Sequence, residues 1–591
     1  MAGKTNPQKP DSSKPAGAVN PPPISRAPES NPKAGSAIDS ESTYTLGQQS
    51  QPVLSAATRT EDDTLRQRSR AARREKSEPA ANTDVTERLV SLDAFRGFIM
   101  MMLAAGGFGI LTFSRIDEKS PLWQTTDYEM WQRIGWHFNH PAWLSVYETW
   151  KVSFWDLIQP SFMLMVGVAM PFSDARRAKQ GQSRFRRGLH ALGRSTILVL
   201  IGIALYSRGN PQTNWTFPNV LCQIGLGYFF AWCLLHLQWF AQIIALVIIL
   251  VCYWAAFYFN PPPADYDYKA VNANGEEILG GSWSAWSKNA NTAYQFDSWL
   301  LPKLRNPESD ASAAHDIHSN LTGWKFALLP QENVPQLPTA LGAGDFTSDT
   351  SAVNDAMVPR AIGEPPAKPI PTTPTDSRKP MTELQASAEP EKPARPGWIR
   401  KAFFSNPMPY APNGGGYATL NFVPSIGTTL LGILCGQLLM LQSMSRWAKL
   451  GVLIVAAAAC LGLGILAGQT ICPIVKRIWT PSWVLFSGGY VMGMLALFYL
   501  LFDIAPLKIL AFPLVVVGTN SILIYLLGET ISGWMKSDFI PRHLGGLIEV
   551  AFGPNALDPQ WYQPITLSIT TFLLYWVLLL WLYRQKYFLR I

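Results

Sequence analysis

An all-α bundle of about ten membrane-spanning helices is the fold class this sequence predicts, and three observations carry it. Uncharged apolar runs near the length needed to cross a bilayer recur along the chain. Polar, proline-rich stretches separate these runs instead of interrupting them, and the basic residues gather in alternate connections. The whole-chain average conceals the pattern. Mean hydropathy is only +0.07 and 15% of the 591 residues are charged, because two polar regions dilute a very apolar remainder.

The chain opens with residues 1–87, rich in Pro, Ser, Ala and charge and without apolar periodicity. Such a segment cannot bury enough surface to offset the entropy of ordering, so a disordered cytoplasmic tail is expected. The remainder, 88–591, reads as one transmembrane domain. Its apolar runs lie at about 92–113, 154–173, 189–206, 219–236, 239–259, 421–441, 450–470, 483–502, 509–527 and 564–583. The fourth and fifth nearly meet between His236 and Trp239, which suits a tight helical hairpin. A long polar tail precedes the first run and no small-residue cleavage site follows it, so a cleaved signal peptide is not expected there. Between the fifth and sixth runs lies a long connection whose middle, 305–396, is Pro-rich and polar, an expected flexible insertion.

The net charge of +8 is placed as membrane topology requires and does not call for nucleic acid. Arg66 to Lys76 precede the first run; Arg176, Arg177, Lys179, Arg184, Arg186 and Arg187 follow the second; Arg446 and Lys449 separate the sixth and seventh; Arg584, Lys586 and Arg590 follow the tenth. With ten spans all of these fall on one side. The positive-inside rule makes that side the cytoplasm, with both termini there, in a cell (plasma or inner) membrane. The six cysteines sit in or at the end of apolar runs without metal-ligand spacing, so no metal site is expected. Small-residue spacings, Gly432 with Gly436 and Gly489 with Gly493, allow close helix packing within the chain or in a homo-oligomer.

Ionisable groups beside an apolar span are costly to desolvate, so each needs a partner or a purpose. Asp93 and Arg96 stand three apart on one helical face, either as an interfacial ion pair or as a contact for a polar cofactor. Asp156 opens the second span, where the helix dipole favours a carboxylate, with Gln159 one turn on. Upstream, His140 sits in Asn139-His140-Pro141-Ala142-Trp143, and His137 lies three residues before it; each reads as a surface histidine or a catalyst. Lys476 and Trp479 lie in the run Pro473 to Ser482, near another expected exoplasmic loop. Asn520, inside the ninth run, reads as helix–helix glue or a ligand contact. The chain carries no phosphate-binding Gly-rich loop and no Ser–His–Asp signature.

Five of these motifs, in order, resemble the heparan-α-glucosaminide N-acetyltransferase family and its bacterial relatives. They are Arg88-Leu89-Val90-Ser91-Leu92-Asp93-Ala94-Phe95-Arg96-Gly97; the histidine loop at 140–143 with the span start at 155–167; residues 219–229; the lysine–tryptophan loop at 473–482; and residues 518–525. Gly107, Cys222 and Val475 depart from the family pattern.

The resemblance implies a membrane acetyltransferase that takes an acetyl group from cytoplasmic acetyl-CoA and delivers it to an exoplasmic amino sugar or glycan. It also implies His140 as the catalytic residue. Beside it, Asp156 is expected to hold the imidazole; Trp143, Trp155, Lys476, Trp479 and Asn520 to bind the acceptor; and Asp93 and Arg96 to meet the acyl-CoA. The rival class is a non-enzymatic membrane carrier or assembly factor for envelope glycans.

Overall fold

The computed structural model describes residues 89–141, 143–144, 152–210, 212–305, 398–404, 406, 410–505 and 507–589. The expected tail 1–87 and the expected insertion 305–396, except Arg305, lie outside the described residues. The described part falls within the unit Asp84–Ile591.

Among the described residues the regular structure is helical throughout. The helices that build the bundle and its connections include α1 (Val90–Ala104), α2 (Ile110–Ser114), α3 (Tyr128–Trp136), α4 (Phe154–Lys179), α5 (Arg184–Tyr206), α6 (Val220–Leu235), α7 (Trp239–Tyr258), α8 (Thr292–Leu300), α9 (Phe422–Met440), α10 (Arg446–Thr470), α11 (Pro481–Tyr499), α12 (Lys508–Thr519), α13 (Ser521–Thr530), α14 (Ile540–Phe552) and α15 (Gln563–Arg584). Six are long and apolar enough to cross a membrane, and up to eight spans result if each of two bent pairs is one span.

Burial separates an inner from an outer set. In α9 and α11, 72% and 61% of the most apolar stretch is buried, against 28% in each of α5, α7 and α10. The outer helices therefore present Leu200, Ile244, Val247, Ile248, Val455 and Leu466 on the outside. In water so broad an apolar surface would drive aggregation, whereas in hydrocarbon it costs nothing.

Close approach of the inner helices rests on glycine. A Cβ on Gly97 of α1 would stand 1.8 Å from the Leu514 carbonyl oxygen of α12, and one on Gly518 2.0 Å from that of Asp93. The α4–α9 seam repeats this, with Gly167 meeting the Thr429 carbonyl at 2.0 Å and Gly432 that of Leu164 at 2.1 Å. Of the four glycines singled out by spacing, Gly432, Gly436 and Gly489 lie in such seams, while a Cβ on Gly493 would meet nothing within 4 Å.

Two of the expected segments, 92–113 and 509–527, are bent instead of continuous. The first turns by 53° between α1 and the segment Gly107–Ser114. Gly106, Gly107, Phe108 and Gly109 all have positive φ there, which only a glycine-rich run tolerates. The second turns by 69° between α12 and α13, at Asn520. Hydrogen bonds from neighbouring helices make such breaks tolerable in apolar surroundings.

The connections before α4, after α5, after α7, before α9 and after α10 are bonded to one another. Trp143 Nε1 donates to the Trp286 carbonyl, Asn289 Nδ2 to that of Asn413, Arg305 to Asn214 Oδ1, and Arg477 to the Pro141 and Gly415 carbonyls, while Tyr253 Oη of α7 anchors the layer on the Ile478 carbonyl. They form an aromatic layer at one end of the bundle, in which Trp143, Trp286, Tyr253, Phe257, Val475 and Ile478 cluster.

The seams predict a contrast between two glycines of the inner helices. Gly432→Ala forces a methyl group into the Leu164 carbonyl and is expected to lower the melting temperature in detergent, at a cost of about 1–3 kcal/mol. Gly493→Ala, with open space around it, should leave melting unchanged or raise it slightly; equal losses at both positions would contradict the seam.

Candidate functional site

The start of α4 organises the site. Ser153 caps the helix, its Oγ accepting from Trp155 N at 3.1 Å and donating to the His137 and Asn139 carbonyls at 2.9 and 2.6 Å. Trp155 N donates in turn to the His137 carbonyl at 3.0 Å. One serine thus satisfies a free helix end and staples the histidine loop to it. Asp156 lies in the first turn, 3% exposed.

Lys476 arrives from the connection between α10 and α11. Trp479 adopts φ 51°, so the chain doubles back and Thr480 N reaches the Val475 carbonyl at 3.1 Å. Thr480 Oγ1 accepts from Val475 N, and Ser482 Oγ donates to the Pro473 carbonyl. The loop is thereby closed onto the N-terminus of α11, and Lys476, 5% exposed, points to Asp156.

Two groups meet on one carboxylate oxygen. Lys476 Nζ and His140 Nδ1 each lie 2.7 Å from Asp156 Oδ1, and Lys476 Nζ is 3.1 Å from His140 Nδ1. An ammonium has no lone pair and an ionised carboxylate no proton, so Nδ1 can serve only one of its neighbours; the shorter contact assigns it as an N–H donating to Asp156, with Lys476 bonding the carboxylate and not the ring. That tautomer leaves the lone pair on Nε2. The His140 side chain is 35% exposed, unlike its two partners.

Charge and burial act in opposite directions on these groups. Burial and then the Lys476 ammonium hold the His140 pKa below its ordinary 6.5, outweighing the hydrogen bond and charge of Asp156. For Lys476, burial favours the neutral amine, but the Asp156 carboxylate and Tyr417 outweigh it and raise the pKa above 10.5. At neutral pH the site therefore holds an ammonium and a neutral imidazole whose basic nitrogen is Nε2, on the ring edge away from Asp156.

Sequence reasoning missed the residues that hold this loop from the far side. Arg477 donates to the Pro141 carbonyl at 3.2 Å and the Gly415 carbonyl at 3.4 Å, and lies 3.9 Å from Glu277. Glu277 also takes Lys288 Nζ at 2.8 Å on both oxygens. Lys476 stands 5.9 Å above the Tyr417 ring. A signal was available: two adjacent cations in an expected exoplasmic connection run against the positive-inside bias and call for acidic partners.

The other candidate residues do not converge here. Trp143 is 1% exposed and donates Nε1 to the Trp286 carbonyl, so protein covers the face expected to stack on a sugar. Trp479 is equally buried, with Nε1 on Thr428 Oγ1. Trp155 is half-buried against Gly107, and its backbone N–H is bonded to the His137 carbonyl. Asn520 uses both ends of its amide on the chain's own C-terminal segment, donating to the Tyr587 carbonyl and accepting from Leu589 N. It sits with Gly518 near Asp93, at the opposite end of α1 from Gly107 and Trp155. Asp93 and Arg96 lie 3.8 Å apart at that same end. Among the described residues no group of His, Cys, Asp and Glu is placed to hold a metal ion.

Imidazole 15N shifts test the arrangement directly. His140 should titrate below pH 6.5 as the Nδ1–H tautomer, Lys476→Met should raise its midpoint, and Asp156→Asn should lower it further. A midpoint above 6.5, or no response to either change, would contradict the geometry. Compared with models of protein families and with curated proteins, the chain matches none.

Proposed function

We propose that this protein is a multi-pass membrane acyltransferase that moves an acetyl group from cytoplasmic acetyl-CoA to an amino sugar or glycan across the membrane. The observation that carries the reading is His140, a half-buried neutral imidazole whose Nδ1–H is held by a buried Asp156–Lys476 pair. The five motifs resembling the heparan-α-glucosaminide N-acetyltransferase family support it, and they include the three members of that cluster.

The topology proposed with it has ten crossings and both termini cytoplasmic. Besides the six apolar helices and the two bent pairs, it counts α6, with 16 residues, and α4, with 26. At about 1.5 Å per residue α6 is short for a bilayer, which its flanking connections must accommodate. On this topology the aromatic layer and His140 are exoplasmic, and the ends bearing Arg177, Arg187 and Arg446 are cytoplasmic.

Moving an acyl group from a thioester to an amine needs a lone pair that takes the amine proton or holds the acyl group in transit. His140 Nε2 supplies it: as the amine nitrogen bonds the acetyl carbon and the thioester C–S bond breaks, Nε2 takes the amine proton and the sulfur leaves as the CoA thiolate. Asp156 keeps the proton on Nδ1 and stabilises the imidazolium formed once Nε2 is engaged, as the acid of a catalytic triad does. Lys476 neutralises Asp156 and keeps His140 neutral at rest. Tyr417 faces the Lys476 ammonium, and Arg477 fixes the loop that carries His140.

Full-length protein in lipid, given labelled acetyl-CoA and a panel of amino sugars, tests the proposal. His140→Ala should reduce labelled product about a hundredfold or more, Asp156→Asn should reduce it less, and His137→Ala should leave it unchanged. The rate should hold below pH 6.5 and fall at lower pH, as Nε2 becomes protonated. Parental transfer by His140→Ala would overturn the assignment; sugar binding with no transfer by any variant would favour the carrier class.

A further inference from the structure

A second charged cluster lies outside the site, where the end of α4 meets the start of α5 and the end of α6. Arg177, Arg187, Arg194, His190 and Tyr228 line a narrow surface cleft, with Asp174 at one side. Asp174 is already engaged: it accepts from Arg187 and from Trp232 Nε1, and His236 stands 3.5 Å away. Arg177 donates to Ser173 Oγ at 3.0 Å and to His190 Nε2, which accepts only as a neutral ring. Arg194 reaches Tyr228 Oη at 3.4 Å and stacks over its ring.

Among the described residues, then, two guanidinium groups face one cleft with only neutral partners. The Nε of Arg187 and of Arg194 are buried and find no acceptor there. A buried donor without an acceptor is costly, and one tetrahedral anion offers several acceptor oxygens at once. The surroundings identify the anion's kind. Phe185, Leu189 and Leu192 of α5 and Phe230 of α6 are exposed on the helices that form the cleft. Charge and bare apolar surface together match a headgroup with its chains beside it.

We infer that this cleft binds a phosphate ester, with a phospholipid headgroup as the source the apolar flank favours. Arg177 and Arg194 supply the forks and His190 orients Arg177. The site stands independently of acyl transfer.

Native mass spectrometry of the full chain released from nanodiscs of phosphatidylglycerol and phosphatidylcholine reads the lipid source. The parent should retain phosphatidylglycerol, and Arg177→Gln/Arg194→Gln should retain about tenfold less. Arg184→Gln/Arg186→Gln, which removes the same charge from exposed positions of the same connection, should retain it as the parent does. The milder Arg177→Lys/Arg194→Lys keeps charge and loses the fork, and should fall between, which covers a Gln variant that does not fold. A parallel titration of the detergent-solubilised protein with inorganic pyrophosphate reads a soluble source. Arginine-dependent lipid retention supports the headgroup. Arginine-dependent pyrophosphate binding alone moves the site to a soluble phosphate ester. Equal losses from both Gln pairs, or no dependence on Arg177 and Arg194 in either arm, overturn the inference.

Discussion

Asp156 carries its carboxylate into a helix start almost closed to water, and a charge there persists only if something nearby answers it. Lys476 answers it from a loop 320 residues later, on the same oxygen that holds His140. Neither cation nor carboxylate would be tolerated alone at that depth. Their pairing therefore ties the α10–α11 connection to the start of α4 and sets where the histidine loop must lie. The doubled-back chain at Trp479, the Ser153 staple and the Arg477 contacts to Pro141 and Gly415 all serve that one meeting point.

The bundle beneath supplies the rigidity. α4 is locked to α9 through Gly167 and Gly432, where backbones touch without intervening side chains, so the position of Asp156 is fixed by the seam below it. The glycine break after α1 brings Gly107 under Trp155 and Phe138, so the bent helix floors the same loop. A continuous helix through 92–113 would have carried that backbone past the site.

Much of this was legible in the sequence, for a physical reason. Lipid makes charge expensive, so apolar runs and the charges between them report helix positions, and every expected run contains a helix. Hydropathy does not report backbone direction, so the bends at Gly106–Gly109 and Asn520 were not foreseen, although Gly106, Gly107 and Gly109 were themselves a hint. His140, Asp156 and Lys476 were picked out singly, because each is an ionisable or polar group beside an apolar span. That Lys476 shares an oxygen of Asp156 with His140 is a long-range fact that no local pattern contains. Trp143 and Trp479 misled for the opposite reason: tryptophans in connections read as binding platforms, yet here the connections are thick enough to have a core of their own. Asn520 was read as ligand or helix contact, and it ties down the C-terminal segment.

If the buried pair is the constraint on which the site depends, Asp156 and Lys476 must be energetically coupled. A double-mutant cycle of unfolding free energy in mixed micelles, with Asp156→Asn, Lys476→Met and both together, measures that coupling. The account predicts that each single change costs about 3–5 kcal/mol, by leaving a buried charge unanswered. The double change should cost no more than the worse single one. Losses that simply add would show the two residues to be independent, and the account of the site would fail with them.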